Sequence, residues 1–327
     1  MSSGEDCLIA RYFKPLATDP GALGLVDDAA ILQASGDEIV VTTDAIVEGV
    51  HFLPDDPADT VARKALRVNL SDLAAKGAVP AGFVLTLALR SPDDGWLAPF
   101  ARALGEDAGL FGCPLLGGDT VSTPGPAMIS ITAFGRVPAG RMVRRSGAAP
   151  GHRIVVTGTI GDAALGLDIL KGGAAAAALA QDAAAGEMLI GRYRVPQPRS
   201  ALAQAVRDHA SAAMDVSDGL AGDLAKLCAA SQVSAVIDTK SIPLSVAAAS
   251  LLARGTVDIG AIVAGGDDYE ILSAIPEAGF AAFAQAAASA GVAVTSIGTV
   301  IAGSQAPRFL DAQGGEIVLK RLSYSHF

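Results

Sequence analysis

The stretch Thr60-Val61-Ala62-Arg63-Lys64-Ala65-Leu66-Arg67-Val68-Asn69-Leu70-Ser71-Asp72-Leu73-Ala74-Ala75-Lys76 decides the fold class. Val61, Ala65, Val68 and Leu73 recur close to the helical period, so residues 60–76 predict an amphipathic helix. On either side, residues 38–43 and 82–89 are rich in β-branched and apolar side chains and predict strands. Helix between strands means a mixed α/β architecture. Further out, residues 96–110 predict a second helix, and residues 128–134, which alternate apolar with small polar positions, a third strand. The pattern stops at Val137-Pro138-Ala139-Gly140, and Gly147-Ala148-Ala149-Pro150-Gly151 precedes a new strand at 153–157, which places a boundary between domains 1–140 and 141–327. The second half repeats the mixture, with helices near 162–170, 199–210 and 220–230 and strands near 235–238, 269–274 and 292–297. Residues 172–186 are dominated by alanine and predict helix or helix linker without chemistry.

Composition narrows the class. With 327 residues, 51% of them hydrophobic, the chain has enough apolar side chains for two cores, which excludes a disordered chain. The apolar stretch 81–89 is far shorter than the ~20 residues of a membrane span. Met1-Ser2-Ser3-Gly4-Glu5-Asp6 lacks the basic start of a secretory signal, so a cytoplasmic protein with no membrane partner is expected. Cys7, Cys113 and Cys228 are widely separated and odd in number, and they predict bystander thiols instead of disulfides; His51, His152, His209 and His326 have no zinc-binding spacing. The net charge of −10 falls almost wholly in residues 1–140, which carry −9. Such a surface repels a phosphate backbone unless cations intervene, so no nucleic-acid partner is expected. Asp55, Asp56, Asp59, Asp93 and Asp94 are read as solubilising charges.

Six acidic clusters are the candidates for chemistry: Val26-Asp27-Asp28-Ala29-Ala30, Thr42-Thr43-Asp44, Asn69-Leu70-Ser71-Asp72, Gly117-Gly118-Asp119-Thr120, Asp215-Val216-Ser217-Asp218-Gly219 and Gly265-Gly266-Asp267-Asp268-Tyr269-Glu270. Most stand beside Gly, Ser or Thr at expected element ends, where carboxylates would project toward a shared space. Mg²⁺ takes oxygen ligands, commonly one or two carboxylates with phosphate oxygens completing its shell, so the pattern points to metal-bridged phosphate chemistry. Asp44 is read as closing a strand, as a ligand or a turn former. Asp72 sits among Leu and Ala in a helix interior, where Asp gains little, which favours a ligand role. Gly117-Gly118-Asp119 reads as a turn whose glycines admit a phosphate. Between Ser217 and Asp218, an ordinary helix cap accounts for one side chain but not for both carboxylates of the cluster. Asp267, Asp268 and Glu270 repel one another unless a cation or substrate ammonium lies among them. Neither GxxxxGK[ST] nor GxGxxG occurs. Gly158-Thr159-Ile160-Gly161 fits a tight turn better than a phosphate cradle, and Arg144-Arg145 is either a phosphate-binding pair or a solvated linker charge.

Taken in order, these clusters resemble a known family. The matching segments are Leu8-Ile9-Ala10-Arg11-Tyr12-Phe13, Thr43-Asp44-Ala45-Ile46-Val47-Glu48-Gly49-Val50-His51-Phe52, Lys64 through Ala75 as quoted above, Gly117-Gly118-Asp119-Thr120, Arg145-Ser146-Gly147-Ala148, Asp215-Val216-Ser217-Asp218-Gly219-Leu220, Gly265-Gly266-Asp267-Asp268-Tyr269-Glu270 and His326-Phe327. Nearly end to end, they resemble the thiamine-monophosphate kinase family of the AIR-synthetase-like ATP-binding superfamily. The resemblance implies a two-domain AIR-synthetase-like fold of the mixed α/β kind. It also implies ATP-dependent phosphorylation of thiamine monophosphate to thiamine diphosphate, several Mg²⁺ ions, and a homodimer whose first domains pair their sheets. By the same resemblance Asp28, Thr42, Thr43, Asp44, Asp72, Asp119, Asp215 and Asp218 are metal ligands. Gly118, Asp119, Arg145 and Ser217 would meet ATP, and His51, Asp267 and Tyr324 the thiamine phosphate. Direct in-line transfer is expected, with Asp44, Asp72 and Asp119 acting through metal and Arg145 offsetting charge. The chain departs from the family in having Val26 where Gly is usual and Asp267 where Glu is usual. Two alternatives are another ATP-dependent synthetase of the superfamily and a non-catalytic divalent-cation or nucleotide-binding protein.

Overall fold

A computed structural model describes residues 8–25, 32, 36–319 and 321–323. Asp28 and Tyr324, with Cys7 and His326, lie outside the described residues. The chain divides into two compact units, one made of residues 1–73 and 78–141 and the other of residues 74–77 and 142–327.

The first unit is a four-stranded sheet backed by two helices. Strands β1 (Asp37–Val47), β2 (Val79–Leu89), β3 (Leu115–Ser122) and β4 (Met128–Pro138) lie in the order β1-β4-β2-β3. The β1/β4 and β4/β2 pairs are antiparallel, and β2/β3 is parallel. β4 explains the layering: Ile129, Ile131, Ala133, Gly135 and Val137 are buried at every second position, while the residues between them are only partly covered. The period of two sends one side-chain set into the core and leaves the other facing outward. That core also takes Leu66, Leu70 and Leu73 from the helix Ala58–Ala75, and Leu97, Phe100 and Leu104 from the helix Asp94–Leu110.

Two expectations for this unit are corrected. Asp44 does not close a strand; it lies within β1, three residues before its end. Gly117-Gly118-Asp119 is no turn, being the middle of β3. Of the two glycines, Gly118 is required for another reason: a Cβ there would overlap the Leu85 carbonyl oxygen of the neighbouring strand. Three of the acids read as solubilising also have specific partners. The Asp93 carboxylate caps the helix Asp94–Leu110 by accepting from Gly95 N at 2.9 Å. Asp94 accepts from Tyr12 Oη at 2.6 Å and pairs with Arg11, and Asp56 accepts from Leu53 N at 2.7 Å.

The second unit holds a six-stranded sheet in the order β10-β7-β9-β5-β8-β6. Its strands are β5 (Arg153–Thr157), β6 (Ala212–Asp215), β7 (Ser234–Asp238), β8 (Ile271–Ile275), β9 (Val294–Ile301) and β10 (Arg308–Leu310). The pairs are antiparallel except β10 with β7. Strands β5, β6 and β8 are covered on both faces, so their alternation serves two cores. Ile154, Val156, Ala212, Met214, Leu272 and Ala274 enter one core with the helix Leu220–Ser231. Val155, Ala213, Ile271 and Ile275 enter the other, with Val206 and Phe283. Double coverage explains why β5 and β8 read as largely apolar runs. The alanine-rich stretch forms the short helix Ala174–Ala178 and then Ala183–Arg194. Cys113 and Cys228 are free and buried, and burial pushes their thiols up to about 12 and about 11.

Candidate active site

In the first unit, β1 and the helix Ala58–Ala75 bring three expected residues together. Thr42 Oγ1 donates to Asp72 Oδ2 at 2.5 Å, and the Asp44 backbone N–H donates to Asn69 Oδ1 at 3.1 Å. Asn69 is itself fixed, its Nδ2 donating to Ala65 O one turn back at 3.0 Å. Because 69 and 72 are three apart, they share the helix face turned to the strand. Thr42 and Asp72 thus meet directly, and Asp44 is tied through its backbone to the same helix face. Asn69 supplies that tie, a role that residue type alone did not reveal.

Asp119 stands elsewhere. β1 and β3 are the two edges of the sheet, three strand steps apart, which separates the backbones of Asp44 and Asp119 by about 14 Å. The register places Asp44 in the row of Ile131, Leu85 and Gly118, and Asp119 in the next row with Thr86 and Ser130. The Thr43 hydroxyl is engaged locally, donating to Ile131 O at 3.2 Å and accepting from Thr132 Oγ1 at 3.0 Å. Among the described residues, no group of three or more His, Cys, Asp or Glu side chains stands ready to hold a metal ion.

His51 ends a tight turn after β1. Val47 N donates to its Nδ1 at 3.1 Å, and the buried Lys64 donates from Nζ to its carbonyl at 2.9 Å. The nearby Glu48 binds Arg90 through both oxygens at 2.6 and 2.7 Å and accepts from Ala127 N at 3.1 Å. Arg90 holds the Glu48 carboxyl below the usual carboxylate range.

In the second unit, Asp215 ends β6, and residues 216–219 lead into the helix Leu220–Ser231. Neither Ser217 nor Asp218 caps this helix, whose N-cap is Gly219. Instead Asp223, buried in the first turn, accepts from both Ser217 N and Asp218 N at 3.0 Å. Burial raises the Asp223 carboxyl above its ordinary value. Lys226 bridges Asp218 at 2.5 Å and Asp223 at 2.8 Å. Arg145 is exposed, and its carbonyl accepts from Ser231 Oγ at 3.0 Å.

Two of the three acids at 267–270, Asp268 and Glu270, have partners within the chain instead of a bound cation or substrate ammonium. Glu270 is gripped by Arg192 Nη2 at 2.7 Å and Arg199 Nε at 2.6 Å, so the chain supplies the positive charge itself. Asp268 accepts from Gly161 N at 2.8 Å at the start of the helix Asp162–Leu170. Burial lifts its carboxyl well above the ordinary range. The Gly158-Thr159-Ile160-Gly161 turn therefore presents this helix N-terminus to an internal carboxylate. Asp267, next to both, is half-buried, and its N–H donates to Ser217 O at 2.8 Å.

Residues 26–137 match the AIR synthase related protein, N-terminal domain, and residues 149–308 match the AIR synthase related protein, C-terminal domain. The thiamine-monophosphate kinase of Caulobacter vibrioides is 43% identical over 324 residues, an alignment covering 97% of this chain and 89% of that protein. The chain belongs to the thiamine-monophosphate kinase family. Solved structures agree with this membership. The crystal structure of thiamine-monophosphate kinase from Stenotrophomonas maltophilia K279a superposes with a TM-score of 0.81 at 37% identity, covering 94% of this chain and 97% of that one. A second member, AaThiL complexed with AMPPCP and TMP, gives 0.77 at 27% identity, covering 94% and 97%. The mixed α/β architecture, with a sheet and helices in each of two domains, is that of the family. Among the described residues no helix is long and apolar enough to cross a membrane.

Proposed function

We propose that this chain phosphorylates thiamine monophosphate with ATP, yielding thiamine diphosphate and ADP. The observation that carries this conclusion is the 43% identity to the Caulobacter vibrioides enzyme over 97% of the chain. The bound pair AMPPCP and TMP in a related structure supports the same two substrates, AMPPCP being an ATP whose β,γ bridge resists cleavage.

Thr42, Asp44 and Asp72 offer only hard oxygen atoms, a donor set that suits Mg²⁺. Asp44 and Asp72 would hold one ion, while Asp119, Asp215 and Asp218, with Asp28 and the Thr43 oxygens, serve others. When bound, Mg²⁺ neutralises phosphate charge and aligns attacking and leaving oxygens. Gly118, Arg145 and Ser217 meet ATP, and Arg145 offers a guanidinium fork. His51, Asp267 and Tyr324 serve the acceptor. The acceptor is a phosphate monoester with a second pKa of about 6, so it is mostly dianionic at neutral pH and needs no strong general base. Transfer is direct and in line, with no phosphoenzyme. Val41 and Val121, exposed by 57% and 44% on the two edge strands of the first sheet, support a homodimer built by pairing those sheets. A cytoplasmic location goes with these substrates.

A coupled ADP-release assay tests the reading. ADP should form when thiamine monophosphate is present and not with ATP and Mg²⁺ alone; ADP release indifferent to the acceptor would overturn it. The role of Asp267 has its own check. The thiazolium ring is cationic, so Asp267→Ala should raise the KM for thiamine monophosphate by about tenfold or more, in line with the ~1.5–3 kcal/mol of a charged contact. The KM for ATP should stay within about twofold. Equal rises for both substrates would remove the assignment.

A further inference from the structure

The segment Gly265-Gly266-Asp267-Asp268-Tyr269-Glu270 follows a backbone path that its own side chains resist. Asp267 and Tyr269 sit at φ 71° and 50°, in the left-handed region that residues with a Cβ avoid. Such a conformation persists where the surroundings over-determine it. Two buried carboxylates do so here. Asp268 reaches inward to Gly161 N at 2.8 Å. Glu270, with no exposed surface, accepts from Thr157 Oγ1 at 2.6 Å, Arg192 Nη2 at 2.7 Å and Arg199 Nε at 2.6 Å, and Arg199 adds a second bond through Nη2. Thr157 in turn accepts from Ile271 N at 2.8 Å, which ties the clamp to the first residue of β8. Gly158, at φ 55°, lets the chain pass so close that a Cβ there would overlap the Glu270 carboxylate.

The clamped segment is also sewn to the loop after β6. Asp267 N donates to Ser217 O, Tyr269 N to Val216 O, and Val216 N to Glu270 O, each at 2.8 Å. Residues 216–217 and 267–270 are thereby joined by backbone hydrogen bonds into one unit, with Glu270 anchoring the far end.

We propose that Glu270, held by Arg192 and Arg199, is a positioning residue: it binds neither substrate nor metal, and it fixes Asp267 and the 215–218 loop in working register. The inference takes the role of Asp267 from the proposed function, while the clamp itself stands on the contacts alone. A charged pair set this way gives geometry that a neutral amide or a point charge does not reproduce.

Two variants test it. Glu270→Gln keeps the shape but removes the charge, and Arg199→Lys keeps the charge but loses the fork. Both should raise the KM for thiamine monophosphate, through Asp267, and the KM for ATP, through Ser217, each at least about fivefold. Amide exchange at Asp267 and Tyr269 should quicken at least about tenfold, with protection of the β5 and β8 core amides retained. Unchanged KM and unchanged exchange at those two amides would overturn the proposal. So would a parallel decline of all kinetic constants with protection lost throughout the second unit, which marks a purely structural role. Should Glu270→Gln fail to fold, Arg199→Lys decides. If the unmodified chain makes no ADP with thiamine monophosphate, the functional reading fails separately, and exchange at Asp267 and Tyr269 alone settles the clamp.

Discussion

Asp44→Asn is expected to lower kcat/KM by at least about 100-fold, the scale on which enzymes lose rate when one preorganised electrostatic contact to the reacting phosphates is removed. The variant should remain folded, because asparagine matches the size of aspartate and what β1 needs at this position comes from the backbone. Asp44 N donates to Asn69 Oδ1 at 3.1 Å, and the residue pairs with Ile131 across the sheet. A melting temperature within about 2–4 °C of the parent corresponds to a change of roughly 1 kcal/mol and would document that. The loss is one of charge: an amide offers one weaker acceptor and turns N–H donors toward a site built for cations. Asp119→Asn should behave alike from the opposite edge of the sheet. A rise of the Mg²⁺ concentration needed for half-maximal rate would accompany either change, since a site short of one carboxylate holds its ion less tightly. Turnover within about threefold of the parent, at ordinary Mg²⁺, would strip either residue of its assigned role.

What the sequence makes legible and what it hides divide along a physical line. Periodicity is local, so the helix at 58–75 and the alternating strand β4 were legible from spacing alone. Where a residue has two conformational uses, spacing misleads. Gly117-Gly118 resembles a turn, yet both lie in a strand, and Gly118 passes too close to Leu85 for a Cβ. Strand β6 has only four residues, with no β-branched or aromatic side chain, and is not legible, nor are the alanine-rich helices Val246–Ala253 and Glu277–Ser289, whose apolar content hides any stripe. Electrostatic inference went half the distance. Three acids in four residues do require a positive partner, but the guanidinium groups of Arg192 and Arg199 come from 78 and 71 residues away. Only the folded chain reveals such partners, one from the helix Ala183–Arg194 and one from the segment after it. The pairing of Thr42 with Asp72 is of the same kind, since both residues were singled out by type while their meeting depends on how the helix lies on β1.

That helix is set in place by a buried charge, which makes Asp107→Ala the variant with the largest expected effect on stability. Asp107 is fully buried on the helix Asp94–Leu110 and holds Arg67 through two bonds, Nε to Oδ2 at 2.6 Å and Nη2 to Oδ1 at 2.9 Å, while Arg63 also reaches Oδ1. Arg67 is nearly as buried, so removal of the carboxylate leaves its guanidinium in a place without water and without that counter-charge. Breaking a buried pair from one side costs about 3–5 kcal/mol. Arg63 retains Glu106 and stands partly in solvent, so the larger share of the loss falls on Arg67. Thermal melts should show the first unit unfolding well before its parent. The double variant Arg67→Met with Asp107→Leu should recover much of the difference, because apolar replacements of similar volume remove the unpaired charge. The consequence reaches the site. Arg67 lies two residues before Asn69 and five before Asp72, so the grip of Asp107 sets the rotation of the helix that brings Asn69 to Asp44 and Asp72 to Thr42. Just below its own melting point, the single variant should therefore require more Mg²⁺ than the parent while its KM for thiamine monophosphate is preserved. An unchanged melting curve for Asp107→Ala would show that the pair carries no structural weight, and an unchanged Mg²⁺ requirement would separate it from the geometry of Asp44 and Asp72.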